Sequence, residues 1–400
     1  MYRKFFLSLI FTASVAAALS SCDDNNEPDT PPATDPTVGR TVLVYMAANN
    51  NLGSNYYDEL DLNEMLEGAK AGDIGADGRL LVYHSDYHKV PELLEVTATG
   101  LDTLKLYDYD GLSVSSERML EVFDDLTELA PARQYGIVLW SHATGWLQDG
   151  IADEMDAPLS PQSFGSDSGK TMNVTTLART LEAGPDWSFV YFDCCYMGSV
   201  ETMYELRNTA PTIVASVTEL PSRGMPYELN LKHFFAEGEP DLIAAAKETF
   251  NSYDQLAGQD RTCTMSVIST AGMDTLARSV KDIFSKANGT LPAGYVPQKF
   301  TNTTTWSCNY FDLRDYLRTL CLDGEDERFD GAAAAFADFE DALDKAVLYE
   351  AATPWLWNQV PLTEHCGLST FIMRTPDDAA HKAYTTLSWW TDVASALTFE

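Results

Sequence analysis

Short apolar runs rich in β-branched and aromatic residues alternate along this chain with longer stretches in which apolar residues recur every three or four positions. The short runs predict strands, and the longer stretches predict helices. The predicted strands are residues 41–46, 79–84, 135–142, 189–197, 212–217 and 366–373. The predicted helices are residues 56–69, 115–129, 174–181, 199–207, 242–256, 271–287 and 329–349.

This alternation predicts an α/β fold in which a mostly parallel sheet is covered by helices on both faces. The pattern is clearest in residues 41–230 and continues, less regularly, through residues 231–400. No internal repeat and no flexible linker follow residue 40. We therefore expect the C-terminal α/β part to pack on the core as one continuous body.

Two predicted strands end in residues that carry chemistry. Residues 135–142 end in His142, and residues 189–197 contain Cys194 and Cys195 after Asp193. In open α/β sheets the carboxyl ends of neighbouring parallel strands form the usual site for ligands. A thiol needs a nearby base to become a nucleophile, and an imidazole titrates in the right range. The pairing predicts a cysteine peptidase.

The residues alone leave the choice between the two thiols open. Adjacent residues on a strand point to opposite faces, so only one of Cys194 and Cys195 can face His142. Burial as a small apolar side chain is the other common role of a free cysteine. No CxxC spacing is present, so a structural zinc site is not expected from the cysteines.

The net charge of −34 argues against recognition of nucleic acid through a basic surface. We interpret most of this charge as a strongly solvated surface. The charge is also compatible with cationic substrates.

The N-terminus has the pattern of an export signal. Arg3 and Lys4 precede an apolar stretch over residues 5–19, and residues 1–21 are interpreted as the signal peptide. The sequence Leu-Ser-Ser before Cys22 resembles the lipobox of bacterial lipoproteins, which implies lipidation of Cys22. Residues 22–40 form an acidic, proline-rich tether. We expect an exported lipoprotein, anchored to the membrane at the cell surface or in the periplasm.

The segments around His142 and Cys195 resemble the clostripain family of cysteine peptidases, whose relatives include the caspases. The family carries Asp-x-Cys at the end of one strand, matched by residues 193–195, and His-Gly at the end of a neighbouring strand, matched by residues 142–143. Further similar segments are residues 41–48, 164–167 and 219–227. The resemblance runs from about residue 41 to the C-terminus and implies a caspase-like core over residues 41–230.

The resemblance also implies roles for individual residues. Cys195 matches the nucleophile, and His142 its base, so the two form a Cys-His dyad that works through an acyl-enzyme intermediate. The backbone N–H groups of Cys195 and Ala143 match the oxyanion hole. Ala143 is a departure, because the family has glycine there, and alanine does not easily adopt a positive φ.

Relatives cleave after Arg or Lys, and Asp193 matches an acidic residue of the pocket for that side chain. Glu219, at the end of the next strand, is a second candidate. A carboxylate there pairs well with a guanidinium or an ammonium group. The resemblance implies protein or peptide substrates with basic residues. Two alternatives remain: a weakly active or inactive surface lipoprotein that binds partners, and a hydrolase for non-peptide amides or esters.

No cofactor is required by the sequence, although calcium is associated with the family. The acidic residues 149–156 offer carboxylates for such an ion, without EF-hand spacing. His84 and His88 flank Asp86 with a spacing compatible with a metal. They follow a predicted strand and have no further His or Cys nearby, so a structural or surface role is expected for both.

Overall fold

A sheet of nine strands forms the centre of the computed structural model, which describes residues 37–109, 112–147, 163–301, 310–373 and 379–398. The predicted signal peptide, Cys22 and most of the predicted tether lie outside the described residues, as do residues 149–156. The other described strands form four two-stranded sheets. In chain order all described strands are β1 (Val38–Ala48), β2 (Gly78–Asp86), β3 (Glu92–Thr97), β4 (Gly100–Leu106), β5 (Ala132–Trp140), β6 (Phe164–Asp167), β7 (Lys170–Met172), β8 (Trp187–Asp193), β9 (Thr212–Ala215), β10 (Thr264–Ser269), β11 (Tyr310–Asp312), β12 (Leu322–Asp323), β13 (Asp326–Glu327), β14 (Val347–Ala352), β15 (Trp355–Leu356), β16 (Val360–Pro361) and β17 (Ser369–Phe371).

Helices cover both faces of this sheet. They are α1 (Asn51–Ser54), α2 (Tyr57–Ala71), α3 (Ser116–Leu129), α4 (Val174–Glu182), α5 (Val200–Glu205), α6 (Tyr227–Phe234), α7 (Leu242–Asp254), α8 (Met273–Lys286), α9 (Leu313–Cys321), α10 (Ala332–Ala346), α11 (Ala379–Tyr384) and α12 (Ser388–Asp392). No described helix has both the length and the apolar character needed to cross a membrane.

The strand order is β14-β10-β9-β8-β5-β1-β2-β3-β4. The five inner strands, β9 to β2 in that order, are parallel, whereas β3, β4, β10 and β14 run antiparallel to their neighbours at the two edges. The predicted fold class, a mostly parallel sheet between helices, is confirmed. Because β10 and β14 come from the second half of the chain, that half completes the same sheet.

The inner strands are apolar because both of their faces are buried. Along β1, Leu43 and Tyr45 belong to the apolar core on one side of the sheet, and Val44 and Met46 to the core on the other. Gly136 in β5 illustrates the tight packing. A Cβ atom there would lie 2.2 Å from the ring of Phe189, so only glycine fits.

Several predicted elements differ from the structure. The two strands near the predicted site end earlier than expected, since β5 ends at Trp140 and β8 ends at Asp193. The predicted helix 329–349 ends at Ala346, because the chain continues as the edge strand β14. The β3–β4 hairpin was not predicted. It lies at the edge of the sheet, and β4 is half-buried or exposed along its length, so it lacks a continuous apolar run.

Candidate active site

A cavity of about 530 Å³ opens at the carboxyl ends of the inner strands. We call it the cysteine pocket. It is lined by His142, Ala143, Asp193, Cys195, Glu219 and Trp357, among other residues. Strand register explains why two of these residues, His142 and Cys195, lie at the same edge of the sheet. Trp140 of β5 is the partner of Asp193 of β8, and His142 and Cys195 each follow their strand by two residues. The imidazole and the thiol therefore reach the same level of the sheet edge.

The two adjacent thiols have different surroundings. Cys194 is buried, and its Sγ donates to the carbonyl oxygen of Leu139 at 2.9 Å. Cys195 is half-buried; its Sγ lies 3.4 Å from the backbone N of Leu220 and 3.7 Å from the carbonyl oxygen of the same residue. Burial, and next the negative charge of Glu219, raise the pKa of the Cys195 thiol to about 12. The thiol is thus protonated at neutral pH in the free pocket.

The turn after Cys195 is not the strand that the sequence predicts. Tyr196 adopts a φ of 58°, a conformation that non-glycine residues rarely occupy, and its N–H donates to Thr218 O at 3.0 Å. The left-handed residue ends the extended chain and turns it away from the sheet immediately after the thiol. Local strain of this kind is concentrated at functional sites.

His142 is oriented by a residue from the loop after β1. Its Nε2 lies 2.5 Å from Oδ1 of Asn51, which is an exposed residue at the start of α1. With the amide oxygen as acceptor, Nε2 carries the proton, and Nδ1 is the basic nitrogen of the neutral ring. Burial lowers the pKa of His142, which also favours the neutral form.

Asp193 forms a buried acidic wall of the pocket. It is 5% exposed, and its two oxygens accept hydrogen bonds from Met225 N at 3.1 Å and from Tyr227 Oη at 3.2 Å. Burial raises the pKa of this carboxyl to about 7, against the opposite influence of the two hydrogen bonds. Gly224 packs directly on it with a φ of 63°, and a Cβ there would lie 2.7 Å from Oδ2. The positive φ and the close approach both favour glycine.

Glu219 is the second acid of the pocket and is half-buried. Its Oε2 accepts a hydrogen bond from Nε1 of Trp357 at 2.7 Å. Trp357 comes from the tight turn between β15 and β16, where it has a φ of 50°. This indole forms a wall of the pocket that the sequence analysis did not identify, because Trp357 is 138 residues away from Glu219 in sequence.

The segment after His142 is supported from the C-terminal part of the chain. Tyr310 Oη donates to the carbonyl oxygen of Thr144, and its ring stacks on Tyr196 with centroids 5.4 Å apart. Ala143 is buried and is not among the described residues with positive φ. The glycine expected from the resemblance is therefore not needed for backbone conformation at this position.

The residues selected from the sequence thus share one cavity: His142, Ala143, Asp193, Cys195 and Glu219. Asn51 and Trp357 also line the cavity, and they were not identified as partners of these residues. A signal for Asn51 existed, because it follows a predicted strand, but its contact depends on β1 lying beside β5. All five described cysteines, which are Cys194, Cys195, Cys263, Cys321 and Cys366, are free thiols.

Comparison with known proteins identifies the family and the fold of this chain. The sequence profile of the clostripain family matches residues 44–395. Among proteins with curated descriptions, none matches this chain. The chain is similar to an inactive zymogen C11 protease from Parabacteroides distasonis, with 27% identity, a TM-score of 0.74, and coverage of 90% of this chain and 99% of that one.

Two solved structures from Bacteroides thetaiotaomicron are also similar. One is a secreted C11 cysteine protease in complex with an irreversible peptide inhibitor, with 27% identity, a TM-score of 0.71, and coverage of 88% of this chain and 98% of that one. The other is the secreted C11 cysteine protease iotapain, with 20% identity, a TM-score of 0.74, and coverage of 89% and 99%, which supports the fold. The predicted family, fold and enzyme class are confirmed: the chain belongs to the clostripain family and is a cysteine peptidase.

Proposed function

We propose that this peptidase hydrolyses peptide bonds after Arg or Lys, with Cys195 as the nucleophile and His142 as the base. The observation that carries the proposal is the buried carboxylate of Asp193 in the same cavity as the Cys195 thiol. A guanidinium or ammonium group entering that cavity finds a low-dielectric environment, in which a charge pair is stronger than in water. Glu219 adds a second acid, whose Oε2 already accepts a hydrogen bond from Trp357.

Bond making begins with transfer of the Cys195 proton to His142. Since Nε2 of His142 is bound to Asn51, Nδ1 is the nitrogen that accepts this proton. The thiolate attacks the scissile carbonyl carbon, and backbone N–H groups of Cys195 and Ala143 receive the developing oxyanion. The C–N bond then breaks, the amine leaves with the proton from His142, and an acyl-enzyme remains. Water activated by His142 hydrolyses the thioester and restores the thiol.

The charges in the pocket make the reactivity of the Cys195 thiol depend on the bound substrate. The pKa of Cys195 is raised to about 12, and that of His142 is lowered, so both shifts favour the neutral thiol and imidazole over an ion pair. The second largest cause of the thiol shift is Glu219, and Asp193 also contributes. A bound cationic side chain offsets both negative charges. Binding of a basic residue therefore lowers the pKa of the nucleophile that will attack the following peptide bond.

The experiment is covalent labelling combined with cleavage of a peptide library. A chloromethyl ketone or acyloxymethyl ketone probe that ends in Arg or Lys is expected to label the protein. Labelling is lost in Cys195→Ala and kept in the matched control Cys194→Ala, which removes a thiol that faces Leu139 instead. The library is expected to be cut after Arg and Lys. No labelling, although a generic alkylating reagent reaches Cys195, would favour a binding module; cleavage after neutral residues would contradict the assignment of the pocket.

We also propose that the protein is exported and lipid-anchored through Cys22, at the cell surface or in the periplasm. Support comes from the basic, apolar and Leu-Ser-Ser-Cys pattern of the first 22 residues. Two similar proteases are described as secreted. Metabolic labelling with a fatty-acid analogue is expected to mark the wild-type protein and not Cys22→Ala, and an unlabelled wild-type protein found in the soluble fraction would contradict the anchor.

A further inference from the structure

Three side chains with metal-binding atoms meet at the carboxyl end of β2, outside the cysteine pocket. They are Asp58 from α2 and His84 and Asp86 from β2, and we call them the His84 cluster. One ligand atom of each lies within 4.8 Å of the others. Nε2 of His84 lies 2.8 Å from Oδ2 of Asp58. Such a spacing fits two ligands of one ion, because donors bound at about 2.1 Å are roughly 3 Å apart.

The cluster is closed to solvent and rich in negative charge. The relative exposures of Asp58, His84 and Asp86 are 0%, 1% and 3%. Within the described part of the chain, neither Oδ1 of Asp58 nor Oδ2 of Asp86 accepts a hydrogen bond. Two buried carboxylates beside a single imidazole leave at least one negative charge uncompensated within the cluster. A buried charge without a partner is costly, so these oxygens favour a bound cation.

Neighbouring groups compensate this charge incompletely. The ammonium group of Lys89 lies 3.9 Å from Oδ2 of Asp86, beyond hydrogen-bonding distance, and 3.7 Å from Oε1 of Glu59. The lysine side chain is half exposed and therefore solvated. The other oxygen of Asp86 accepts from the backbone N of His88 at 3.0 Å. One oxygen of each acid thus has a hydrogen-bond partner, while the second has none among the described residues.

We infer that the His84 cluster binds one divalent transition-metal ion of the zinc or manganese type. His84 supplies an imidazole nitrogen, Asp58 and Asp86 each supply a carboxylate oxygen, and water completes the coordination. The imidazole ligand separates this assignment from calcium, which takes oxygen ligands. The sequence analysis assigned His84 a structural or surface role because no further His or Cys lies nearby. It did not consider Asp58, which lies 26 residues earlier in sequence.

The position of the cluster gives the ion a structural role. Asp86 is the register partner of Ala48 at the end of β1, three residues before Asn51. Asn51 in turn contacts His142 at 2.5 Å. A metal ion that ties β2 to α2 holds the two ends of the loop that carries Asn51.

The test uses the full chain with Cys195→Ala, because a pocket with a thiol and an imidazole can bind zinc by itself. After chelator treatment and dialysis, Zn²⁺ is added and metal content is measured by elemental mass spectrometry, with the melting temperature recorded in parallel. One equivalent of Zn²⁺ and a rise of about 4 °C at saturating metal are expected. Addition of Ca²⁺ under the same conditions is expected to give neither.

Variants decide whether the ion lies in the cluster. Asp86→Asn and Asp58→Asn keep the side-chain shape and are expected to weaken Zn²⁺ binding at least about tenfold. His88→Ala is the matched control, since His88 is exposed and contacts the ring of Tyr56; it should bind like the parent. The inference is overturned if the parent binds no stoichiometric Zn²⁺, if both Asn variants bind as tightly as the parent, or if Ca²⁺ binds in place of Zn²⁺.

Discussion

The cysteine pocket and the His84 cluster both lie at the carboxyl edge of one sheet, and both contain buried acids, yet their hydrogen bonding differs. In the pocket, both oxygens of Asp193 accept hydrogen bonds, from Met225 and Tyr227, and the carboxyl borders an open cavity. In the cluster, Asp58 and Asp86 each keep one oxygen that accepts no hydrogen bond from any described residue. Because both oxygens of Asp193 accept hydrogen bonds, this carboxylate is stable without a bound cation and can pair with the charge of a substrate. Asp58 and Asp86, each with one oxygen that accepts no hydrogen bond, require a bound metal ion in our proposal.

The largest expected effect comes from removing the charge of the pocket acid. Asp193→Asn should lower kcat/KM for substrates with Arg at the cleavage site by roughly 10²- to 10³-fold, because a buried charge pair is lost. Substrates with a neutral residue there should change little. Kinetics with matched peptides measure the difference. An equal fall for both substrates would mean that Asp193 supports the fold of the pocket and does not select the substrate.

Acidification should mimic that variant without mutation. Burial raises the pKa of Asp193 to about 7, so the carboxylate form is present above this pH and is lost as the pH falls through it. Specificity for Arg over a neutral residue should therefore decline below about pH 7 in a series of kcat/KM measurements. A constant ratio between pH 5.5 and 8 would show that Asp193 remains charged throughout. In Asp193→Asn the ratio is expected to be flat.

The contact between Asn51 and His142 is expected to have a smaller effect. Asn51→Ala removes the acceptor for Nε2, so the ring loses its fixed orientation and tautomer, and kcat should fall about tenfold with KM nearly unchanged. Asn49→Ala is the control, because Asn49 donates to Asp167 and Ser168 and not to the imidazole. Equal losses in both variants would assign the effect to the loop as a whole.

The alkylation rate of Cys195 is expected to increase several-fold when the charge of Glu219 is removed. Glu219 is the second largest cause of the raised pKa of Cys195, so Glu219→Gln should lower that pKa and increase the thiolate fraction. The rate of alkylation by neutral iodoacetamide at pH 8 is expected to rise about three- to tenfold. Trp357→Phe keeps the acid and removes its indole donor, so that variant should not accelerate the reaction. A slower reaction of Glu219→Gln would contradict the charge argument.

The smallest effect concerns the residue after His142. Ala143 is buried and does not have a positive φ, so the backbone at this position does not need the conformational freedom of glycine. Ala143→Gly should change kcat/KM by less than about twofold. A large increase in activity would indicate that the alanine methyl group obstructs the substrate in the wild-type pocket. Steady-state kinetics with an Arg peptide distinguish the two results.

Much of the fold could be predicted because the inner strands are buried on both faces and therefore read as continuous apolar runs. Strands β1, β2, β5 and β8 belong to this class, and the sequence analysis located all four. The β3–β4 hairpin was missed because an edge strand in contact with water keeps polar residues. The ends of β5 and β8 were placed a few residues late. For β8 the reason is that the buried turn around Cys195 is as apolar as the strand.

The candidate site likewise has a part that the sequence could predict and a part that it could not. The pattern alone could place His142 and the pair Cys194 and Cys195 at one edge of the sheet, because they follow apolar strands and a strand end is a local feature. The choice of Cys195 as nucleophile came from the family resemblance and stays a prediction. The contacts of Asn51 and Trp357 depend on which strands are neighbours and on how residues far apart in sequence fold back. The register that puts Trp140 level with Asp193 is a property of the whole sheet. Pattern along the chain does not contain that information.

The late position of Trp357 has a consequence for biosynthesis. The thiol, the imidazole and both pocket acids are all made by residue 219, whereas the indole that binds Glu219 is made 138 residues later. The edge strand β14, which completes the sheet beside β10, is made only shortly before it. A growing chain on the ribosome therefore holds every reactive group well before it can assemble the wall around them. Synthesis order alone delays completion of the pocket until the chain is nearly finished.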